Sequence, residues 1–337
     1  MNRSFITLIL SLAMVALVTT SSHAAVKKTL CVYDPGGKTG DIYNMMKDFR
    51  VEALALGVDF EMRPETDEKT VADDFKASQC NAALITGTRA RQIHKFAGTV
   101  EAMGALPEYA QLRLVVKTLA KANPQVSKIL KSGDHEVAGI FPGGAVYLYV
   151  RDRNVNTVGK LAGKRIATLA FDDAAKTMVR KVGASLIAAD VSTFSGMFNN
   201  ASVDACYAPA FAYKALELYK GIGANGGVIR YPLAQMTMQL LVRSADFPEG
   251  FTQKARELAY KSFSQGLKTA NQAESAIPAK HWIDIPKADK DRYDEMFLDV
   301  RVELRDKGVY HPRALGLLRG VRCKSDPTRA ECTQKRE

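Results

Sequence analysis

Short apolar runs of strand length and longer stretches with apolar residues three and four apart take turns along most of this 337-residue chain. Residues 29–33 predict a strand, 41–56 a helix and 58–62 a strand; 69–77 then predicts a helix, 82–86 a strand and 90–96 a short helix. Strand and helix in strict turn is the pattern of a parallel sheet covered by helices, because a parallel crossover needs a helix's length of chain to return. Residues 107–130 read mainly as helix, and the chain then passes through 137–141 and a Pro-Gly-Gly step into the apolar 146–150. The alternation restarts with a strand at 165–169, a helix at 174–182, a strand at 185–188, a short helix at 194–199, a strand at 203–206 and a helix at 211–219. Two such series predict two lobes. Strands follow at 228–231 and 236–243, the second long enough to carry the chain back toward the first lobe. Helices over 250–269, 287–307 and 312–318 contain no catalytic cluster and are expected to buttress the lobes. The expected division is a first lobe over 25–145 with a return segment at 236–275, a second lobe over 146–235, C-terminal helices over 276–322 and a basic tail over 323–337.

The first residues break this pattern. Asn2-Arg3, an apolar run from Phe5 to Val18 and then Ser21-Ser22-His23-Ala24 have the layout of a secretory leader cleaved after Ala24 or nearby. The run is shorter than the roughly 20 apolar residues that span a bilayer, so the expectation is a protein exported to the periplasm. With 47 basic against 36 acidic residues the chain is basic, but the charges are spread out and no DNA or RNA motif is present. Nucleic acid is therefore not expected as a partner, and a monomer is.

Of the five cysteines, Cys323 and Cys332 bracket a short polar loop and make a reasonable disulfide. Cys31 and Cys80 can pair only if their strands are neighbours, and Cys206 reads as a small buried strand residue. No Cys-x-x-Cys or histidine pair has metal-ligand spacing, so neither a metal nor a cofactor is expected.

The string Val32-Tyr33-Asp34-Pro35-Gly36-Gly37-Lys38-Thr39-Gly40-Asp41 ends like a Walker loop, but the first glycine of that motif would fall at Val32, inside the strand. What remains is a glycine-rich turn from strand to helix. Its amides at Gly36 and Gly37 could meet a ligand, or the turn could serve geometry alone. Gly-x-Ser-x-Gly is absent and the histidines are scattered. Asp172-Asp173 read more naturally as a helix N-cap than as an acid–base pair. No enzyme is expected.

Leu161-Ala162-Gly163-Lys164-Arg165-Ile166-Ala167 and Asn200-Ala201-Ser202-Val203-Asp204-Ala205 resemble the second-lobe pattern of bacterial extracytoplasmic solute-binding proteins of the TRAP-transporter, DctP-like type. Ala105-Leu106-Pro107-Glu108-Tyr109 resembles the segment before that family's interlobe helix, and 137–141 its crossing strand. The chain is similar too to a smaller group of solute-binding proteins, some of them described as multidrug-efflux components linked to aminoglycoside resistance. The resemblance implies an α/β, two-lobe periplasmic binding protein fold, type II-like, with a mainly parallel sheet in each lobe. It also implies a receptor that captures a small polar solute and delivers it to TRAP-type transporter subunits. The alternative it implies is an accessory of an RND-type efflux assembly on the same scaffold. One position departs: where the family commonly carries a carboxylate-clamping arginine, this chain has Ala167, with Arg165 two residues earlier.

Ligands of open α/β sheets gather outside the carboxyl ends of the strands. That rule nominates Asp34, Gly36, Gly37, Lys38, Thr86, Thr88, Arg89, Phe141, Tyr147, Thr168, Phe171, Asp172, Tyr207 and Tyr213 as ligand-binding. Amides at Gly143 and Gly144 are expected to donate, and Arg91 is a second positive group beside Arg89. Each aromatic has a core reading beside its wall reading.

Overall fold

The computed structural model describes residues 24–334 and 336–337; the expected leader, apart from Ala24, lies outside the described residues. The first lobe runs β1 (Val26–Tyr33), α1 (Asp41–Leu54), β2 (Val58–Glu65), α2 (Glu68–Lys76), β3 (Ala82–Thr86), α3 (Gly87–Ala90) and α4 (Lys95–Gly98). Helices α5 (Tyr109–Ala120) and α6 (Pro124–Ile129), the two-residue β4 (Lys131–Ser132) and the long β5 (His135–Val150) follow. The second lobe adds β6 (Arg165–Leu169), α7 (Asp173–Lys181), β7 (Ser185–Ala189), α8 (Phe194–Asn199), β8 (Ala205–Pro209), α9 (Ala212–Ala215), α10 (Leu218–Ile222) and β9 (Gly227–Ile229). The chain closes with β10 (Ala234–Arg243), α11 (Phe251–Lys261), α12 (Phe263–Ser275), β11 (Trp282–Ile283), α13 (Lys287–Asp306), α14 (Pro312–Ser325) and α15 (Ala330–Gln334).

The strands form one continuous mixed sheet in the order β2-β1-β3-β10-β5-β8-β6-β7. In the first lobe β1 pairs parallel with β2 and β3, and β10 is antiparallel to β3. In the second lobe β6 pairs parallel with β7 and β8, and β5 is antiparallel to β8. Each lobe thus places its first strand between its second and third and adds one antiparallel strand on the far side. The carboxyl ends of β1, β3, β6 and β8 border the interlobe cavity.

The two strands expected at 137–141 and 146–150 are a single 16-residue strand. It pairs with β10 at one end and with β8 and β9 at the other, so it is the covalent bridge between lobes. A register shift opposite Pro142 to Gly144, with Gly144 at φ +102°, takes up the extra residue without ending the strand. Tyr109 anchors this bend: its hydroxyl accepts from the Ala145 amide at 2.8 Å and donates to Glu274, which Tyr147 also bonds at 3.0 Å. The drawn lobe boundary at 145/146 falls in the middle of β5.

The C-terminal helices brace both lobes, α13 lying against α7 and α14 against α5. The segment expected as a basic tail is partly helical, with Arg329 and Arg336 paired to acids of the fold and Lys324 exposed, and the residue just before it is tied inward. Arg322 is fully buried, donating to the Ala105 carbonyl at 2.8 Å and pairing with Glu331 at 3.2 Å; Arg329 pairs with Glu331 at 2.7 Å. Two disulfides form, Cys31 of β1 with Cys80 just before the neighbouring β3, with a Cα separation of 5.9 Å, and Cys323–Cys332 at 5.5 Å. Cys206 is free and buried. Asp74 lies beside the first disulfide, whose sulfurs are bonded to each other rather than open to a metal. Among the described residues no helix is long and apolar enough to cross a membrane.

Candidate functional site

A cavity of about 120 Å³ lies between the lobes at the carboxyl ends of their strands. From the first lobe Tyr33, Glu68, Thr86, Thr88, Arg91 and Glu101 line it, and from the second Leu169, Asp172, Val191, Phe194, Tyr207 and Phe211. Val146 of β5 and Met236 of β10 close it from the crossing strands.

The first-lobe wall is a hydrogen-bonded frame built around the short helix after β3. Glu101 is 4% exposed and accepts four bonds, from the amides of Gly87 (2.9 Å) and Thr237 (2.5 Å) and the hydroxyls of Thr88 (2.7 Å) and Thr237 (2.8 Å). Glycine is required at position 87, since a Cβ there would come within 2.6 Å of the Glu101 carboxylate. Glu68, 1% exposed, accepts from the Thr86 amide at 2.7 Å and faces Arg89 at 3.5 Å. Burial pushes the carboxyls of Glu68 and Glu101 above their ordinary values, and their bonds to Thr86 and Thr237 pull back toward the ionised form. Burial, reinforced by the neighbouring Glu68, raises the Tyr33 phenol, which therefore stays neutral.

Two contacts cross from this wall to the second lobe. Arg91 Nη1 donates to Asp172 Oδ1 at 3.3 Å, with Asp172 also capping α7 through the Ala174 amide at 3.1 Å. Two residues earlier, the Arg89 guanidinium lies 3.4 Å above the centre of the Phe171 ring. Two arginines at the end of α3 thus engage two consecutive residues of the other lobe.

Of the residues nominated from sequence, Thr86, Thr88, Asp172 and Tyr207 line the cavity, while Arg89 and Phe171 meet across the interlobe gap. The glycine-rich turn is committed to itself. Asp34 is buried, its carboxylate taking the amides of Gly36 (2.7 Å) and Tyr43 (2.8 Å), and its carbonyl takes the amide of Gly37 (2.9 Å). The expected free donors at Gly36 and Gly37 are therefore used inside the turn, and Lys38 is exposed outside the cavity. Gly40 completes the device, because a Cβ there would sit 2.0 Å from the Asp34 carboxylate.

Four other nominees belong to packing. Phe141 is fully buried edge-on to Phe49, and the Thr168 hydroxyl donates to the Ile166 carbonyl at 3.0 Å. Tyr147 lies against Trp282 and donates to Glu274; Tyr213 shares a 2.8 Å hydrogen bond with His281 Nδ1. Gly143 and Gly144 sit in the β5 bulge, where a Cβ at 143 would meet the end of the Met236 side chain at 2.6 Å. Arg165 cannot replace the arginine missing at Ala167. It stands at the amino end of β6, the end away from the cavity, and grips Asp204 at 2.8 Å on the surface.

Sequence reasoning missed Glu68, Glu101 and the apolar residues of the second-lobe wall. Glu68 lies just before the helix expected at 69–77 and Glu101 between those expected at 90–96 and 107–130; the signal available was Gly87, a glycine opening a helix directly after a strand.

The strand order, the crossing strand and a cavity between two α/β lobes define the architecture of a two-lobe periplasmic binding protein. Solved TRAP periplasmic solute-binding proteins share it. One from Rhodoferax ferrireducens with bound malonate is 13% identical, with a TM-score of 0.71 over 89% of this chain and 100% of that one. Another from Roseobacter denitrificans with bound 3-deoxy-D-manno-oct-2-ulosonic acid is 14% identical, with a TM-score of 0.69 over 88% and 100%. At the level of sequence, the family model for solute-binding protein AdeT 1/2 matches residues 49–337, and solute-binding protein AdeT1 of Acinetobacter baumannii is 36% identical over 89% of this chain and 98% of its own length. The chain belongs to the AdeT 1/2 family of solute-binding proteins.

Proposed function

We propose that this protein captures a small polar solute in the interlobe cavity without altering it chemically, and hands it to TRAP-type membrane transporter subunits. It would act in the periplasm as a monomer after losing residues 1–24. The moving bodies would be residues 25–145 with 236–275 and residues 146–235, turning about the Tyr109–Glu274–Tyr147 anchor at the β5 bend.

The observation that carries this reading is the pair of contacts from Arg89 and Arg91 to Phe171 and Asp172 across the cavity mouth. Groups that touch only when the lobes approach favour the closed state, and a solute bound to both walls adds to that preference. Of the nominated residues, Thr86, Thr88, Arg89, Phe171, Asp172 and Tyr207 would meet or enclose the solute. Asp34, Gly36, Gly37 and Lys38 would shape the turn, and Phe141, Tyr147, Thr168 and Tyr213 the scaffold. Malonate and a sugar acid bound by the two structural relatives support a solute role for the scaffold. The efflux-accessory alternative draws less support, because the matching family is described as solute-binding and structural relatives carry bound small acids.

Native mass spectrometry of protein purified without refolding should reveal a retained solute, and its removal should enlarge the particle in small-angle scattering. Protein that carries nothing and stays unchanged in size and thermal midpoint across a broad solute screen would overturn the proposal.

A further inference from the structure

The two sides of the cavity differ in chemistry, and the difference bears on which solute it holds, given that it is a solute site. On the first-lobe side the guanidinium of Arg91 is already answered: Asp172 gives it a carboxylate at 3.3 Å, and the Gly98 carbonyl takes its Nε at 3.3 Å. Asp172 occupies the place that a solute carboxylate would take on an arginine clamp. The nearby charges are Glu68, Glu101 and Asp172 against Arg89 and Arg91, all at most a tenth exposed at the side chain or buried as residues. A further anion would enter a site where acids already outnumber bases and water is scarce, the arrangement in which like charges repel most strongly.

On the other side the wall is hydrocarbon. Leu169, Val191, Phe194, Phe211 and Leu216 of the second lobe face Met236 of β10, with Tyr207 and, at the edge of the wall, Asp172 the polar exceptions. The Tyr207 hydroxyl accepts from the Leu169 amide at 3.0 Å, and burial holds its proton firmly. A polyhydroxylated acid seated here would leave several hydroxyls against carbon, stripped of water and without a partner. A branched hydrocarbon would be matched along its length.

We propose that the solute is a compact amphipathic molecule lacking a carboxylate, with an amide, alcohol or amine at one end and a branched or cyclic hydrocarbon body. Its polar end would lie against Thr86 and Asp172. Thr86 Oγ1 accepts from the Arg89 amide at 3.2 Å and gives its own proton to Glu68, so the group free to meet a solute donor is Asp172, which spends Oδ1 on its two bonds and leaves Oδ2 to accept. The hydrocarbon would fill the space between Phe194 and Met236. In this scheme the internal Arg91–Asp172 pair is the specificity element, closing the anion position with a residue of the protein itself.

Four probes test this at neutral pH by calorimetry on the whole mature protein: 3-methylbutanamide, 3-methylbutylamine, 3-methylbutanoate and malonate. The amide or the amine should bind at least tenfold more tightly than either acid. In Asp172→Asn, where asparagine still caps α7, Arg91 is released and 3-methylbutanoate should gain at least tenfold. Tighter binding of either acid than of the amide and the amine by the unaltered protein overturns the inference. If none of the four binds but a solute is retained on purification, its composition decides, a carboxylate overturning the inference and a non-acid supporting it. A protein that binds no probe and retains nothing sinks both this inference and the solute-binding proposal, so the two failures are told apart.

Discussion

The two lobes bring the same strand order to the cavity and opposite chemistry. The first-lobe wall is held by directed bonds: Glu101 gathers four donors, Glu68 takes the Thr86 amide, and each threonine hydroxyl is placed by a partner. The second-lobe wall is held mainly by packing, with Phe194 and Phe198 in their own apolar cluster and few directed bonds, among them those from the Leu169 amide to Tyr207 and from the Ala174 amide to Asp172. A wall of directed bonds fails sharply when one acceptor is lost, because several buried donors are orphaned together. A packed wall loses stability in proportion to the volume removed.

The largest effect should therefore follow from Glu101→Ala. The amides of Gly87 and Thr237 and the hydroxyls of Thr88 and Thr237 would lose one shared acceptor. A loss of about 3–5 kcal/mol in urea unfolding is expected, since each orphaned buried group costs about 1–3 kcal/mol and some will find water. A loss below about 1 kcal/mol would mean that the frame is not the basis of this wall. Across the cavity, Phe194→Ala should cost less, about 2–3 kcal/mol, because a ring already bordering free volume forfeits fewer contacts than a fully enclosed one. Should the order of these two be reversed, the contrast between bonded and packed walls is wrong.

The same contrast governs what could be read from the chain. Alternation of apolar runs and amphipathic stretches foretold both α/β series and their restart at β6, because burial of strands on both faces and helices on one is written directly in residue type. Whether Cys31 could meet Cys80 hung on their strands being neighbours, which the alternation leaves open and the β1–β3 pairing supplies. Site positions drawn from the strand-end rule were found where the side chain at the strand end is itself the wall, as at Thr86 and Asp172. They were misplaced where a loop closes on itself. The Asp34 turn looks like an open anion cradle until the third dimension shows both amides returning to Asp34. Glu68 and Glu101 were invisible because nothing local marks a glutamate that ends up buried; its donors come from residues as distant as Thr237. The continuity of β5 was hidden by Pro142-Gly143-Gly144, a tripeptide that ordinarily breaks a strand and here only bends it.

The smallest and most specific effect concerns the contact joining the two walls. Arg89 stacks on Phe171 at 3.4 Å while facing Glu68 at 3.5 Å, so its charge belongs to the bonded wall and its flat face to the packed one. Arg89→Lys keeps a cation beside Glu68 but removes the planar group, and an ammonium on a flexible stem covers a ring poorly. Folding stability should change by less than about 0.5 kcal/mol, because Glu68 keeps both its cation and the Thr86 amide. The closed state should lose about 1 kcal/mol, the worth of a partly desolvated cation–ring contact, which shifts the ratio of closed to open molecules roughly fivefold. Scattering or a fluorophore pair placed one on each lobe would read this as a more open solute-free protein with an unchanged urea midpoint. An unchanged interlobe distance would show that Arg91 and Asp172 alone join the lobes, leaving Arg89 to the first-lobe frame.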